Sequence, residues 1–295
     1  MPSGSNPTGR VVAIIDHLIR SPSQPFTLSE LARAVGVSKT TCLAIVTELV
    51  ATGYLLRHPS RRTYTLGPSL IAAGQAAALR FPDLGPALLA MEELSEQTSA
   101  QCVALAAIDD QLVVVAAVGH DDPLHGLPRL GIRVPFVPPY GASLVGWAGP
   151  GAFDDWIGRA DPALAPDEVD TLRDVLVTGR QRGFVVSAEI DPGNTLRPAL
   201  IDMRHAARAV DYAVLSQLLA SRLNEAGYFL REVRPRSTYA VNNVAAPIRR
   251  SPSEVPVALL LPLFGWRMKG REVLELGQAV TTAADRVARL LSRAR

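Results

Sequence analysis

A chain of 295 residues is long enough for about two domains, and 48% hydrophobic against 20% charged residues excludes a disordered polymer. No apolar run reaches the roughly 18 residues that a membrane span needs, Met1-Pro2-Ser3-Gly4 lacks the apolar segment of a secretory leader, and two cysteines make neither a disulfide framework nor a cysteine metal site; a cytoplasmic protein with no membrane partner is expected. The net charge of +2 conceals a split, because residues 1–80 carry eight Lys/Arg against three Asp/Glu (+5) and the rest carry 22 against 25 (−3), the asymmetry of a nucleic-acid reader joined to a separate sensing part.

Val11 to Ile19 places apolar residues at helical spacing and predicts a first helix, ended by Ser21-Pro22-Ser23-Gln24-Pro25. Thr27-Leu28-Ser29-Glu30 is a Thr-x-x-Glu capping box that opens a second helix running to about Val35. Gly36 supplies the left-handed residue that stops it, and Val37 is the apolar residue that packs the turn. Ser38 starts a third helix. Along it Cys42, Ile45, Val46 and Leu49 fall at i, i+3, i+4 and i+7 and predict one buried stripe. The opposite arc holds Thr40, Leu43, Ala44 and Thr47, with Lys39 in the first turn, where a long cation reaches a phosphate while the helix lies in a major groove.

Gly53 ends that helix, and Tyr54-Leu55-Leu56 is expected to pair with Thr63-Tyr64-Thr65-Leu66 as a two-stranded wing. The tip between them has three arginines in six residues, Arg57, Arg61 and Arg62, where flanking phosphates would lie. The whole stretch predicts a winged helix-turn-helix. Its candidate contacts to double-stranded DNA are Ser38, Lys39, Thr40, Thr41, Leu43, Ala44, Thr47, Arg57, Arg61 and Arg62.

Leu31-Ala32-x4-Val37-Ser38-Lys39-Thr40-Thr41, then Gly53-Tyr54-Leu55, then Tyr64-Thr65-Leu66-Gly67 resemble, in order and spacing, the IclR family of bacterial transcription regulators. The resemblance implies an α+β protein: an N-terminal winged helix-turn-helix over 1–67, a linker helix over 68–80, and a C-terminal GAF/PAS-like α/β effector-binding domain over 81–295. It also implies a small-molecule effector and a homodimer or homotetramer. The family usually places an arginine where this chain has Ala44, so that base contact does not carry over, and Thr40 and Thr47 remain. Ser69 to Leu79, rich in Ala and Leu, corresponds to the family's connecting helix that helps dimerise, its Ala73-Gly74 pair allowing close approach. A helix packed only on its own domain is the alternative.

Phe81-Pro82-Asp83 breaks the pattern, and Leu84 to Gln97 predicts the next helix. Two almost continuously apolar strands follow, Cys102 to Ile108 and Leu112 to Val118, joined by Asp109-Asp110-Gln111 as a hairpin. Strands apolar on both faces are covered on both faces, here by helices on one side and a partner or pocket on the other. Gly131 to Ser143 is a proline-stiffened loop leading into an apolar helix through Trp147. By resemblance Gly141 and Ala142 edge the effector pocket, and Tyr140 stands where a smaller residue is usual. The glycine spacing around Ser143 is not that of a nucleophile elbow, so Ser143 reads as a helix cap or turn residue.

Asp155 to Gly179 predicts two helices divided by Pro162 and Pro166, followed by a turn and strand over Arg182 to Glu189. Glu189 and Asp191 are similar to the family's acidic segment beside its ligand, with a surface strand end as the alternative. About 195–233 carries a helical pattern where a typical member passes quickly to its next strand, an insertion suited to an oligomer contact or a lid. Tyr239 to Ile248 is similar to the family strand ending Ala-Ala-Pro, with Asn243 where a cysteine is common. Val255 to Pro262 corresponds to a strand whose serine hydroxyls often hold a ligand carboxylate, and Leu260 and Pro262 stand there instead. An effector held mainly by apolar burial is therefore expected. Glu272 to Leu291 predicts an amphipathic closing helix.

His120-Asp121-Asp122-x2-His125 lies in a turn with no further paired ligand nearby and reads as a solvated loop, so neither metal nor cofactor is expected. No nucleotide-binding glycine loop or acid–base pair at catalytic spacing appears. No catalytic residue is assigned on that ground; the alternative is a C-terminal domain with residual hydrolase or transferase chemistry, or one serving only assembly.

Overall fold

Asn6 opens the N-terminal helix by accepting a hydrogen bond from Thr8 N at 3.1 Å, and the proline that follows starts α1, Pro7–Arg20, in this computed structural model. α2, Leu28–Val35, begins at the capping box: Thr27 N donates to Glu30 Oε2 at 2.7 Å and Glu30 N to Thr27 Oγ1 at 3.4 Å. The Thr27 backbone N–H, and after it the Thr27 hydroxyl, hold the Glu30 carboxyl below its ordinary pKa. Gly36 ends the helix at φ 68°, and the chain turns by 110° into α3, Lys39–Ala51. The apolar stripes of α1, α2 and α3 meet in one core of Ile14, Leu18, Leu31, Cys42, Val46 and Leu55.

The wing has three strands, not the expected two. β2, Leu55–Arg57, and β3, Thr63–Leu66, pair antiparallel, and β1, Phe26–Thr27, lies on the far side of β3 with Phe26 opposite Tyr64. An N-cap residue needs extended backbone, and Thr27 at φ −76° and ψ 161° has it, so the cap doubles as a strand end. α4, Ser69–Ala78, is tied to the end of α3 by Ser69 Oγ donating to Thr52 O at 2.9 Å, yet none of its residues is buried.

The described residues are 6–21, 23–79, 81, 84–119, 130–131, 133–188, 229–249 and 257–293, and the chain divides into two units, Met1–Arg80 and Phe81–Arg295. The second unit runs α5 (Leu84–Thr98), β4 (Cys102–Ile108), β5 (Gln111–Val118), β6 (Arg133–Pro135), α6 (Ala142–Val145), α7 (Ala152–Ile157), α8 (Pro166–Arg182), β7 (Val185–Ala188), β8 (Thr238–Pro247), β9 (Val257–Lys269) and α9 (Gly270–Arg293). Its antiparallel sheet has the order β6-β5-β4-β9-β8-β7, so the fold class is mixed α+β. Alternation along the strands separates two faces. Cys102, Ala104, Ala106, Val186, Val244, Leu259 and Leu261 pack against Met91 and Leu94 of α5 and Val273, Val280 and Val287 of α9. Arg249, just past β8, clamps α9 through both oxygens of Asp285, at 2.6 and 2.7 Å. Val185, Leu112 and Ala258 face the other way, under Ala142 and Leu144 of α6 and Leu172 and Leu176 of α8.

Three expectations are corrected by this architecture. The 131–143 segment contains β6, which pairs with β5 through Val134 opposite Leu112. The helix after it is a single turn, α6, with Gly141 rather than Ser143 at its start; Gly141 has φ 83° and Ser143 is buried inside the turn. Residues 195–228 lie outside the described residues, as do Glu189, Asp191 and the His120–His125 stretch. The last part of the expected insertion is not helical, because Phe229 bridges to Ser187 and Leu230 N donates to Val186 O at 3.0 Å.

Candidate functional site

In α3 the stripe Cys42, Val46 and Leu49 is buried and Ile45 packs beside it, so Lys39, Thr40, Leu43, Ala44 and Thr47 point outward. Leu43 keeps 47% of its surface exposed although the residue is apolar. Ser38 and Thr41 sit at the same end in a different role: Thr41 N donates to Ser38 Oγ at 3.1 Å and the two hydroxyls lie 2.8 Å apart. Their side chains hold the helix start, and the outward arc beyond them is free to read a surface. At the wing, Arg57 closes β2 while Arg61 and Arg62 occupy the turn. His58 orders that turn, its side-chain Nδ1 accepting from Arg61 N at 3.1 Å and its backbone N–H donating to Thr63 O at 2.8 Å. Among the described residues neither Lys39 nor any of these three arginines has a carboxylate partner.

The second candidate site lies on the face of the large sheet away from α5 and α9. α6 rests on β8 and β9 here. Tyr140 packs on Leu112, Leu144 and Ala258, and its carbonyl accepts from Trp156 Nε1 at 2.8 Å, which fixes the loop. Gly141 has no room for a side chain, since a Cβ would run into the Phe136 ring, and Ala142 is buried beside Val185. Register puts Leu260 between Val103 of β4 and Ala245 of β8, and Asn243 opposite Ser187 of β7. Tyr140, Ala142, Asn243 and Leu260 therefore border the same face.

Ser187 and Asn242 belong to this face too. Val241 and Val244 both pack toward α5 and α9, although residues three apart on a regular strand point to opposite faces. A register shift between Val241 and Asn243 accounts for it, leaving Asn242 and Asn243 together on the other side. Ser187 is fully buried and Asn242 is 5% exposed, and Ser187 Oγ and Asn242 Oδ1 have no hydrogen-bond partner among the described residues. The only signal in the sequence is polar residues inside apolar strands; the bulge that aims Asn242 depends on the neighbouring strands.

Next to β7, Arg182 Nε donates to Phe184 O and Nη1 to Leu230 O, both at 2.7 Å, and burial pulls the guanidinium pKa down to about 10. A separate groove of about 480 Å³ opens between α6, α7 and α8. Its Arg173 lies 4.3 Å over the Phe153 ring and its Arg180 donates to the Gly146 and Ala148 carbonyls, so both cations are already engaged. Among the described residues no cluster of His, Cys, Asp and Glu could hold a metal, and no single helix is long and apolar enough to cross a membrane.

Residues 8–59 match the family model of the IclR helix-turn-helix domain. The fold is that of the IclR of Thermotoga maritima, at 15% identity and TM-score 0.62 over 96% of this chain and 98% of that one. It is also similar to an IclR homolog from Microbacterium hydrocarbonoxydans complexed with 4-hydroxybenzoate, at 19% identity and TM-score 0.59 over 98% and 100%. A third such structure is the transcriptional regulator of this type from Alicyclobacillus acidocaldarius, at 19% identity and TM-score 0.58 over 96% and 97%. No curated protein matches the chain in sequence. Residues 8–59 are thus similar to the IclR helix-turn-helix domain, and the chain shares the fold of those IclR structures over nearly its whole length.

Proposed function

We propose that this chain binds specific duplex DNA as a homodimer or homotetramer, through α3 in a major groove and the wing on flanking phosphates, under control of a small molecule at the α6 side of the large sheet. The observation that carries the DNA reading is the outward arc Lys39, Thr40, Leu43, Ala44 and Thr47 beside a wing whose three arginines have no carboxylate partner among the described residues. A helix that short, with one wing, buries too little surface for tight binding by a monomer. α4 supports assembly, because it is apolar and none of its residues is buried within the chain.

The effector site is bordered by Tyr140, Gly141, Ala142, Asn243 and Leu260, with Glu189 as a further candidate beyond β7. Leu105 and Leu260, the half-buried side chains of the central strands on this face, offer apolar surface, and a ligand burying on the order of 250 Å² there would gain roughly 6 kcal/mol before association costs. The complex of the Microbacterium hydrocarbonoxydans homolog with 4-hydroxybenzoate makes ring compounds the first probes to try. Selection of binding sites from random duplexes, followed by footprinting, tests the DNA reading. The expected product is a pseudo-palindrome protected over both half-sites, and a monomer protecting a single half-site overturns it.

A further inference from the structure

We infer that the effector carries an uncharged, hydrogen-bond-donating head group, a hydroxyl or a carboxamide, seated against Ser187 and Asn242, with its apolar body over Leu260. This rests on reading that sheet face as the effector site, and three observations of the face support it.

First, the middle of the sheet is only partly covered there. β4 and β9 are central strands, and on the α5 and α9 side Ala104, Leu259 and Leu261 are wholly buried. On the opposite side Val103 and Ala258 are wholly buried as well, but Leu105 and Leu260, from the same strands, are only half-buried, as is Asn243. A central-strand side chain keeps solvent contact only where there is space above it. Second, the irregularity in β8 brings Asn242 to this side next to Asn243, whose register partner is Ser187. Bulges commonly re-aim a side chain beside a site. Third, Ser187 Oγ and Asn242 Oδ1 are more than nine-tenths buried and have no partner among the described residues. Folding selects against unpaired buried polar atoms, so two on one face call for a group that pairs with them when it binds.

Their chemistry selects the ligand. Asn242 Oδ1 is an acceptor, which repels a carboxylate and attracts an N–H or O–H, and a serine hydroxyl can give or take a hydrogen bond. An ammonium would need a carboxylate beside it to be buried without heavy loss of hydration. A neutral donor meets both atoms. Leu260 and Pro262 agree, since neither has a side-chain donor to offer a ligand carboxylate.

The test uses the full chain with single-ring probes of similar size: phenol, benzamide, toluene, benzoate and benzylammonium. Phenol or benzamide is expected to raise Tm, and Ser187→Ala to weaken that binding about tenfold, with Asn242→Leu as the second variant. If the two atoms are unpaired in the free protein, Ser187→Ala leaves its Tm unchanged or raises it. Stabilisation by none of the probes, or only by toluene or the charged ones, overturns the inference. So does a Ser187→Ala protein several degrees less stable when free, since its hydroxyl is then structural. DNA binding measured in the same samples separates the two levels: a probe that binds through Ser187 without altering DNA affinity leaves this inference standing and removes the effector role.

Discussion

Cys102 is fully buried between the sheet and α5, and burial pushes its thiol up to about 12. Cys42, buried in α3, is raised for the same reason. The native Cys102 keeps its proton over a range in which the unfolded thiol, with the ordinary value of 9.0, has lost it. Its contribution to stability is therefore complete below about pH 9 and is lost as the pH rises toward 12. Urea unfolding midpoints are expected to fall between pH 8 and pH 10.5, and to fall less in Cys102→Ala. A disulfide-exchange reagent should label neither thiol until the chain unfolds. Gly141 gives a second test: its φ of 83° and the nearby Phe136 ring both oppose a side chain, so Gly141→Ala is expected to destabilise by about 1–3 kcal/mol in thermal unfolding. The same scale marks where sequence reading stopped. Positions such as Asn243 and Leu260 could be singled out as members of a recognisable strand, but Asn242 owes its direction to a bulge between β8 and its neighbours. Ser187 is silent in the sequence, because a serine in a strand carries no signal until its surroundings are known.

Elements whose ends are written in local chemistry were legible. The Thr27–Glu30 box and Gly36 delimit α2, and Asp109-Asp110 with positive φ at Asp109 turns the β4–β5 hairpin. Elements that exist only through a distant partner were not. β1 is two residues long and is a strand because β3 lies beside it, and β6 because β5 does. Thr27→Ala is expected to cost about 1 kcal/mol, read as a lower thermal midpoint of the N-terminal unit. Replacing Arg57, Arg61 and Arg62 together with Ala should weaken all DNA sequences alike. Every phosphate that is no longer neutralised flattens the plot of log affinity against log salt by about 0.9, and an unchanged slope would mean that the wing touches no DNA. Arg182 joins elements rather than ending one, holding the Phe184 and Leu230 carbonyls. Arg182→Met leaves both carbonyls without their donor and is expected to cost about 1–3 kcal/mol.

At the scale of the molecule, the split of charge in the sequence runs alongside two units, 1–80 and 81–295, each with its own core. α4 belongs to neither core. Its Ile71 is 66% exposed, in a ten-residue helix with no charged residue to make it soluble. Ile71→Glu is expected to yield monomers in analytical ultracentrifugation and to reduce DNA affinity at least tenfold, while far-ultraviolet circular dichroism stays unchanged. If α4 is covered only by another copy of itself, the active species forms by mass action. Its abundance then falls with the square of the protein's concentration wherever monomers predominate. Under that regime a twofold change in how much of the chain a cell makes becomes a fourfold change in the form that occupies DNA. The expression level is then a second input, read by the unburied face of one short helix.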